Sequence, residues 1–259
     1  MTPSRPVPRD LTVRTKLILS GLYLSKFDCA GLKRLGFDSF TEAFNAIGYA
    51  LGSQPASVKN YRDEFDPLFP NKRQGWHKRP IRQYCREIYN DYKNLNLDDF
   101  SGMVGAFFGS DTGSTTVIEA GEISVEDGTS AFAQRLVTGL AAERHFELIH
   151  GSISTFQGLA LENTTSFGCG YDFRLRTDPG SADFIAVEVK GLRDKAGGVA
   201  LTQKEYEAAS SMRERFFLFV VRNFREVPYH SMFQDPVNSE LEFRRTERVT
   251  VQVSWATSV

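Results

Sequence analysis

Residues 170–206 read GYDFRLRTDPGSADFIAVEVKGLRDKAGGVALTQKEY. Successive side chains of a strand point to opposite faces of its sheet. Along 184–190 this places Ile185, Val187 and Val189 on one face and Glu188 and Lys190 on the other. In the run before it, Tyr171, Phe173 and Leu175 face one way and Asp172 and Arg174 the other. Asp-Pro-Gly at 178–180 is a turn signal between the two runs. Paired, the strands bring Asp172 close to Glu188 and Lys190, two carboxylates and one ammonium on the polar face of a small sheet. Thr202-Gln203-Lys204-Glu205 then forms a capping box that starts a helix reaching about Arg213. FFLFVVRNF at 216–224 reads as a fully apolar strand, the pattern of a buried central one.

Two carboxylates held close repel each other unless a cation lies between them. Oxygen donors suit Mg²⁺, which keeps several of its waters. Bound Mg²⁺ can orient a water, lower its pKa and stabilise charge on a phosphoryl oxygen. A lysine beside it can position the attacking water or stabilise the developing negative charge. A Glu-x-Lys triplet alone is most often a solvated strand face. The upstream aspartate, the apolar opposite face and the following helix set this one apart.

Asp172 with Glu188-Val189-Lys190 resembles the PD-(D/E)XK nuclease signature. The string GYDF…VEVKG…LTQKEYEAA…FFLFVV is similar to the restriction-endonuclease-like core of that superfamily, over residues 131–225. The resemblance implies Asp172, Glu188 and the Val189 carbonyl as metal ligands, Lys190 as the catalytic lysine and Mg²⁺ as the cofactor. Tyr171 stands where the superfamily often has proline. A glutamate from the first core helix often joins such a site; Glu143 is the candidate and Glu147 its rival. The family also often places a polar residue at the start of the helix after the motif. Gln203 or Lys204 fits that place, whereas helix capping accounts for Thr202 and Glu205.

The chain has 259 residues, enough for one large domain or two small ones. Its 41% hydrophobic residues can build a core, and 24% charged residues suit a soluble protein. No run approaches transmembrane length. MTPSRPVPRD at the start has no apolar stretch of a secretion signal. Cys29, Cys85 and Cys169 are too scattered for a disulfide framework or a zinc site, so a reduced, cytoplasmic setting is expected. A net charge of −1 does not mark a nucleic-acid binder, so the distribution of charge matters more.

Residues 11–35 carry Leu17, Ile18, Leu22 and Leu24 near helical spacing. A helix is expected from about Thr41 to Leu51, closed by Gly52, and a second opens at Pro55. The second turns Val58, Tyr61 and Phe65 inward and Ser57, Lys59, Asn60 and Arg62 outward. The pair has a helix-turn-helix outline, which helical hairpins without DNA function share. Residues 71–82, NKRQGWHKRPIR, hold Lys72, Arg73, Lys78, Arg79 and Arg82 with no acidic residue among them. Such cations contact DNA phosphates; a solvated charged face is the plainer alternative. A further helix sets Tyr84, Ile88 and Tyr92 in register, and residues 100–108 close a helical domain, 1–108. Residues 109–130, rich in Gly, Ser, Thr and acids, read as a linker to a nuclease domain, 131–259. His145 and His150 read as surface or capping residues, and His230 as a loop residue.

Residues 249–255 alternate as a strand, with Arg244, Arg245 and Arg248 clustered near its start as a basic lip. A helical N-terminal part, a nuclease core and Arg248-Val249 near the C-terminus are together similar to the BisI-type restriction enzymes. Those are dimeric nucleases that cut GCNGC sites carrying 5-methylcytosine, with a basic-plus-aliphatic dipeptide against the methyl group. Arg248-Val249 is equally a plain strand start. The cytosine methyl lies in the major groove, an apolar contact beside guanine edges that arginine reads.

The expectation is a mixed α/β protein with a helix-turn-helix-like N-terminal domain. It hydrolyses double-stranded DNA with Mg²⁺ as a homodimer, without a membrane, and cytosine methylation is the preferred requirement. A palindromic target calls for two-fold symmetry. The alternatives are a DNA-binding regulator with an inert nuclease-like domain, and a junction or repair nuclease.

Overall fold

The computed structural model describes residues 11–109, 128–239 and 241–247. Helices come first: α1 (Val13–Arg34), α2 (Phe40–Ala50), α3 (Pro55–Phe65), α4 (Gln83–Tyr92), α5 (Leu97–Gly109) and α6 (Gly128–Ile149). Then follow β1 (Ala160–Asn163), β2 (Phe173–Arg176), β3 (Ile185–Gly191), α7 (Gln203–Met212), β4 (Phe216–Arg222) and β5 (Tyr229–Gln234). The strands form one sheet in sequence order. β3 and β4 are parallel, joined across α7, and the other pairs are antiparallel. The mixed α/β architecture with a helical N-terminal region is thus the expected one.

Local signals explain most helix starts. The Ser39 side chain accepts from Glu42 N at the head of α2, Pro55 opens α3, and Thr202 and Glu205 close a full capping box on α7. α1 and α3 approach closely at Gly21, where a Cβ would stand 2.5 Å from Tyr61 Cβ. Among the described residues no helix is long and apolar enough to cross a membrane.

One apolar cluster runs from α1 and α2 through α6 to the sheet face built by Phe173, Leu175, Val187, Val189, Phe217, Phe219 and Val221. α6 is the shared wall. Its Phe146 ring lies 5.1 Å from Phe173 and 4.8 Å from Phe219, and its His145 meets Tyr49 of α2 at 4.9 Å. A smaller cluster of Tyr171, Ala186, Ala209 and Phe216 seats α7 on the opposite face. Covered on both faces, β4 is apolar throughout its buried length, Phe216 to Val221.

Several expectations change. Tyr171 joins the cluster under α7 while Phe173 and Leu175 face α6. β2 begins only at Phe173, so the two-residue period does not extend back to Tyr171. β1 and β5 were not expected. His230 lies on β5, stacked on Phe219 at 4.7 Å, and not in a loop. His145 is buried and not at the surface. Arg248, Val249, the strand at 249–255 and residues 110–127 of the expected linker lie outside the described residues.

Candidate active site

β2 and β3 pair with Phe173 opposite Val187 and Leu175 opposite Ile185. Asp172 stands one residue before the ladder begins. Its N–H donates to Val187 O at 3.1 Å, and its Oδ2 accepts from Val189 N at 2.8 Å. The carboxylate thus replaces a backbone acceptor and is pinned to the β3 edge. In a strand the N–H and C=O of one residue share an edge, so the Val189 carbonyl lies on the same edge as Asp172. Thr164 N fastens the Asp172 carbonyl at 2.7 Å from behind.

Glu188 is 3% exposed on the α7 side of β3. Lys190 Nζ stands 2.7 Å from Glu188 Oε1 and 2.7 Å from Glu205 Oε2. The same Glu205 oxygen accepts Thr202 N at 3.0 Å, so one glutamate both caps α7 and holds the lysine. On the other flank α6 brings Glu143 within range of the charges on Asp172 and Lys190.

The electrostatics follow from burial and crowding. Burial pushes the Asp172 carboxyl up to about 6, against the Val189 N–H and Lys190. Burial and then the Asp172 charge push Glu143 up to about 8, against Arg144. Burial and Asp172 hold Glu188 well above the ordinary carboxylate range, against Lys190. Burial alone would lower Lys190, but Glu188 and Glu205 outweigh it and the ammonium is raised. The cluster carries more carboxylates than its one ammonium can neutralise, and together with burial this favours their protonated forms.

Among the described residues no three His, Cys, Asp or Glu side chains converge as a closed metal cage. The oxygens that the sequence resemblance assigns to a metal are those of the Asp172 and Glu188 carboxylates and the Val189 carbonyl. These are hard oxygen donors, the kind that suits Mg²⁺.

The remaining expected residues divide. Gln203 is exposed and donates to Glu207 on its own helix at 2.6 Å. Glu147 is tied to Arg144 at 2.7 Å and to Asn163 at 3.1 Å. Glu205 was missed because its capping role already accounted for it. The available signal was the order of elements, with Lys190 ending a strand whose polar face looks toward the next helix.

The expected DNA-contacting cations are largely engaged within the helical half. Arg62 points inward, a correction to its outward placement. It is buried on Asp63 at 2.6 Å and lies 4.9 Å and 5.0 Å over the rings of Phe40 and Phe44. Lys59 pairs with Asp63 at 2.6 Å. Arg73 reaches Asp66 at 3.0 Å and Asp28 at 2.8 Å. Arg79 and Arg82 both bind the buried Glu64 carboxylate, at 2.5 Å and 2.9 Å, with the Trp76 ring against both guanidinium groups. Asn60, Lys72 and Lys78 are exposed. Arg244 and Arg245 are exposed, and Arg245 pairs with Glu247 at 2.5 Å.

Residues 149–233 match the family model described as Protein NO VEIN, C-terminal. The span contains Asp172, Glu188, Lys190 and Glu205; Glu143 and all the N-terminal helices lie outside it. No curated protein and no solved structure matches the chain significantly.

Proposed function

We propose that the chain is a PD-(D/E)XK-type nuclease that hydrolyses phosphodiester bonds in double-stranded DNA with Mg²⁺. The observation that carries this reading is Lys190 fixed between Glu188 and Glu205 on the edge where Asp172 is pinned to Val189. Asp172, Glu188 and the Val189 carbonyl would hold Mg²⁺, which when bound supplies an acidified water and charge stabilisation at phosphorus. Lys190, oriented by Glu205, then directs its ammonium to the attacking water and to the negative charge that develops on the phosphoryl oxygens. Glu143, buried beside the Asp172 charge, favours its protonated form.

The finer reading is a homodimeric restriction enzyme that requires 5-methylcytosine, with Arg248-Val249 against the methyl group. It rests on the sequence resemblance. One observation favours a second reading, a structure-specific nuclease. Arg62, Arg73, Arg79 and Arg82 are bound to carboxylates of their own half, which leaves fewer cations for a helix-turn-helix to read a site.

The test is cleavage of paired plasmids, unmodified and carrying 5-methylcytosine, in Mg²⁺ and in EDTA. Mg²⁺-dependent bands from the modified plasmid alone support the methylation-dependent enzyme. Bands from both keep the nuclease and remove the methyl requirement. Cutting only of branched DNA selects the structure-specific reading. No cutting of any substrate favours a DNA-binding regulator with an inert domain.

A further inference from the structure

Glu42 lies on α2, far from the carboxylate cluster in sequence, yet it is 1% exposed. A buried carboxylate is costly unless its lone pairs are filled. Its partners come from separate elements. Gln134 Nε2 of α6 donates at 2.7 Å. Arg193, in the loop leaving β3, donates from Nε and, at 2.9 Å, from Nη2. Asp38 N, ahead of the helix, donates at 2.9 Å. Arg193 also reaches Asp38 Oδ2 at 2.8 Å.

Glu42 grips α6 and the loop that leaves β3, and α6 and β3 both carry site residues. α6 bears Glu143, and β3 bears Glu188 and Lys190 just ahead of Arg193. The two elements touch at Gly191, where a Cβ would stand 2.7 Å from the Thr138 carbonyl of α6. Beyond it the chain is fastened to the end of β4. Leu192 N donates to Val221 O at 2.7 Å, and Arg225 N to Arg193 O at 3.3 Å. Glu188 and Glu205 hold the Lys190 ammonium sideways; Arg193 anchors the chain three residues beyond that lysine.

We propose that Glu42, acting through Arg193, is a positioning residue for Lys190. It fixes the spacing between α6 and the end of β3, and hence the placement of the lysine relative to Glu143 and Asp172. The helical region thereby braces the reacting edge whether or not it touches DNA. The inference rests on the nuclease reading for its activity arm only.

The test uses the full chain with Glu42→Gln and Arg193→Lys. In the metal-free protein, amide exchange should rise about ten-fold across 190–193 while α1 and α3 keep their protection. On supercoiled plasmid with Mg²⁺, Glu42→Gln should lower kcat by about 10²-fold with KM nearly unchanged, and Arg193→Lys should lie between it and the wild type. Unchanged exchange at 190–193, or a rise spread evenly over the chain, overturns the proposal. A rise in KM with kcat intact does the same. The exchange arm needs no substrate, so a wild-type chain that cuts nothing removes the nuclease reading and leaves the brace to be judged on exchange. Should Glu42→Gln fail to fold, Arg193→Lys, which keeps the charge and loses the two-pronged grip, decides by the same criteria.

Discussion

At the residue scale, under the proposed nuclease reading, Lys190 is the group whose loss should separate chemistry from binding. Among the described residues its ammonium pairs with Glu188 and Glu205 of the cluster. Lys190→Ala should lower plasmid cutting by at least about 10²-fold, while a gel-shift titration of the same DNA changes little. Full cutting by that variant would remove the catalytic assignment. Glu205→Gln should give a partial loss, since it loosens the lysine and keeps a cap acceptor. The raised carboxyls add a pH dependence. Asp172 and Glu143 are pushed up to about 6 and about 8 by burial. Their neutral forms favour the folded chain fully below the ordinary carboxylate range, and that contribution is lost as pH rises through the folded values. The melting temperature in EDTA should therefore fall between about pH 5 and pH 8. Glu143→Gln should flatten the upper part of that fall. Mg²⁺ should oppose it by taking the place of protons. A melting temperature that climbs across this range in EDTA would show that the carboxyls are not buried as protonated acids.

At the scale of elements, the site depends on how closely β3 can lie against α6. Gly191→Ala forces a methyl group against the Thr138 carbonyl. It should cost about 1–3 kcal/mol in urea unfolding and lower cutting along with it. If the variant unfolds at the wild-type urea midpoint, the approach is looser than 2.7 Å implies. The same scale explains what the sequence made legible. α2, α3 and α7 are announced by Gly52 beyond the first, by Pro55 and by the Thr202–Glu205 box, all local signals. The β3 faces follow from strict alternation, and with them Glu188 and Lys190 come together. β1 has four residues and little apolar signal, and β5 mixes Tyr229, Met232 and Phe233 with polar residues and, among the described strands, pairs with β4 alone. Each exists because a neighbour offers a free backbone edge, which no local pattern reports. Tyr171 switches sides for a related reason: Asp172 spends its side chain on the ladder and ends the period. Glu205 stayed hidden because one residue served two purposes and the cap alone sufficed to explain it.

At the scale of the whole molecule, charge was the least legible property. The run at 71–82 is basic in sequence, but α3 and the turn after it carry Asp63, Glu64 and Asp66, all buried. The arginines fold back on these acids, so Arg62, Arg73, Arg79 and Arg82 act as buckles of the helical half. Only long-range pairing could reveal that. The two roles of the segment can be separated experimentally. Lys72 and Lys78 are exposed, and converting both to Gln should leave the melting temperature unchanged. If they contact phosphate, the salt dependence of DNA binding should lose roughly two units of slope, one per lysine. Arg82→Gln instead strips a donor from the buried Glu64 and should cost about 1–3 kcal/mol of stability, with a smaller change in slope. An unchanged slope in the double-lysine variant would take this segment off the DNA surface. Duplex contact would then fall to the cations around the carboxylate edge, and sequence reading by the helical half would lose its support.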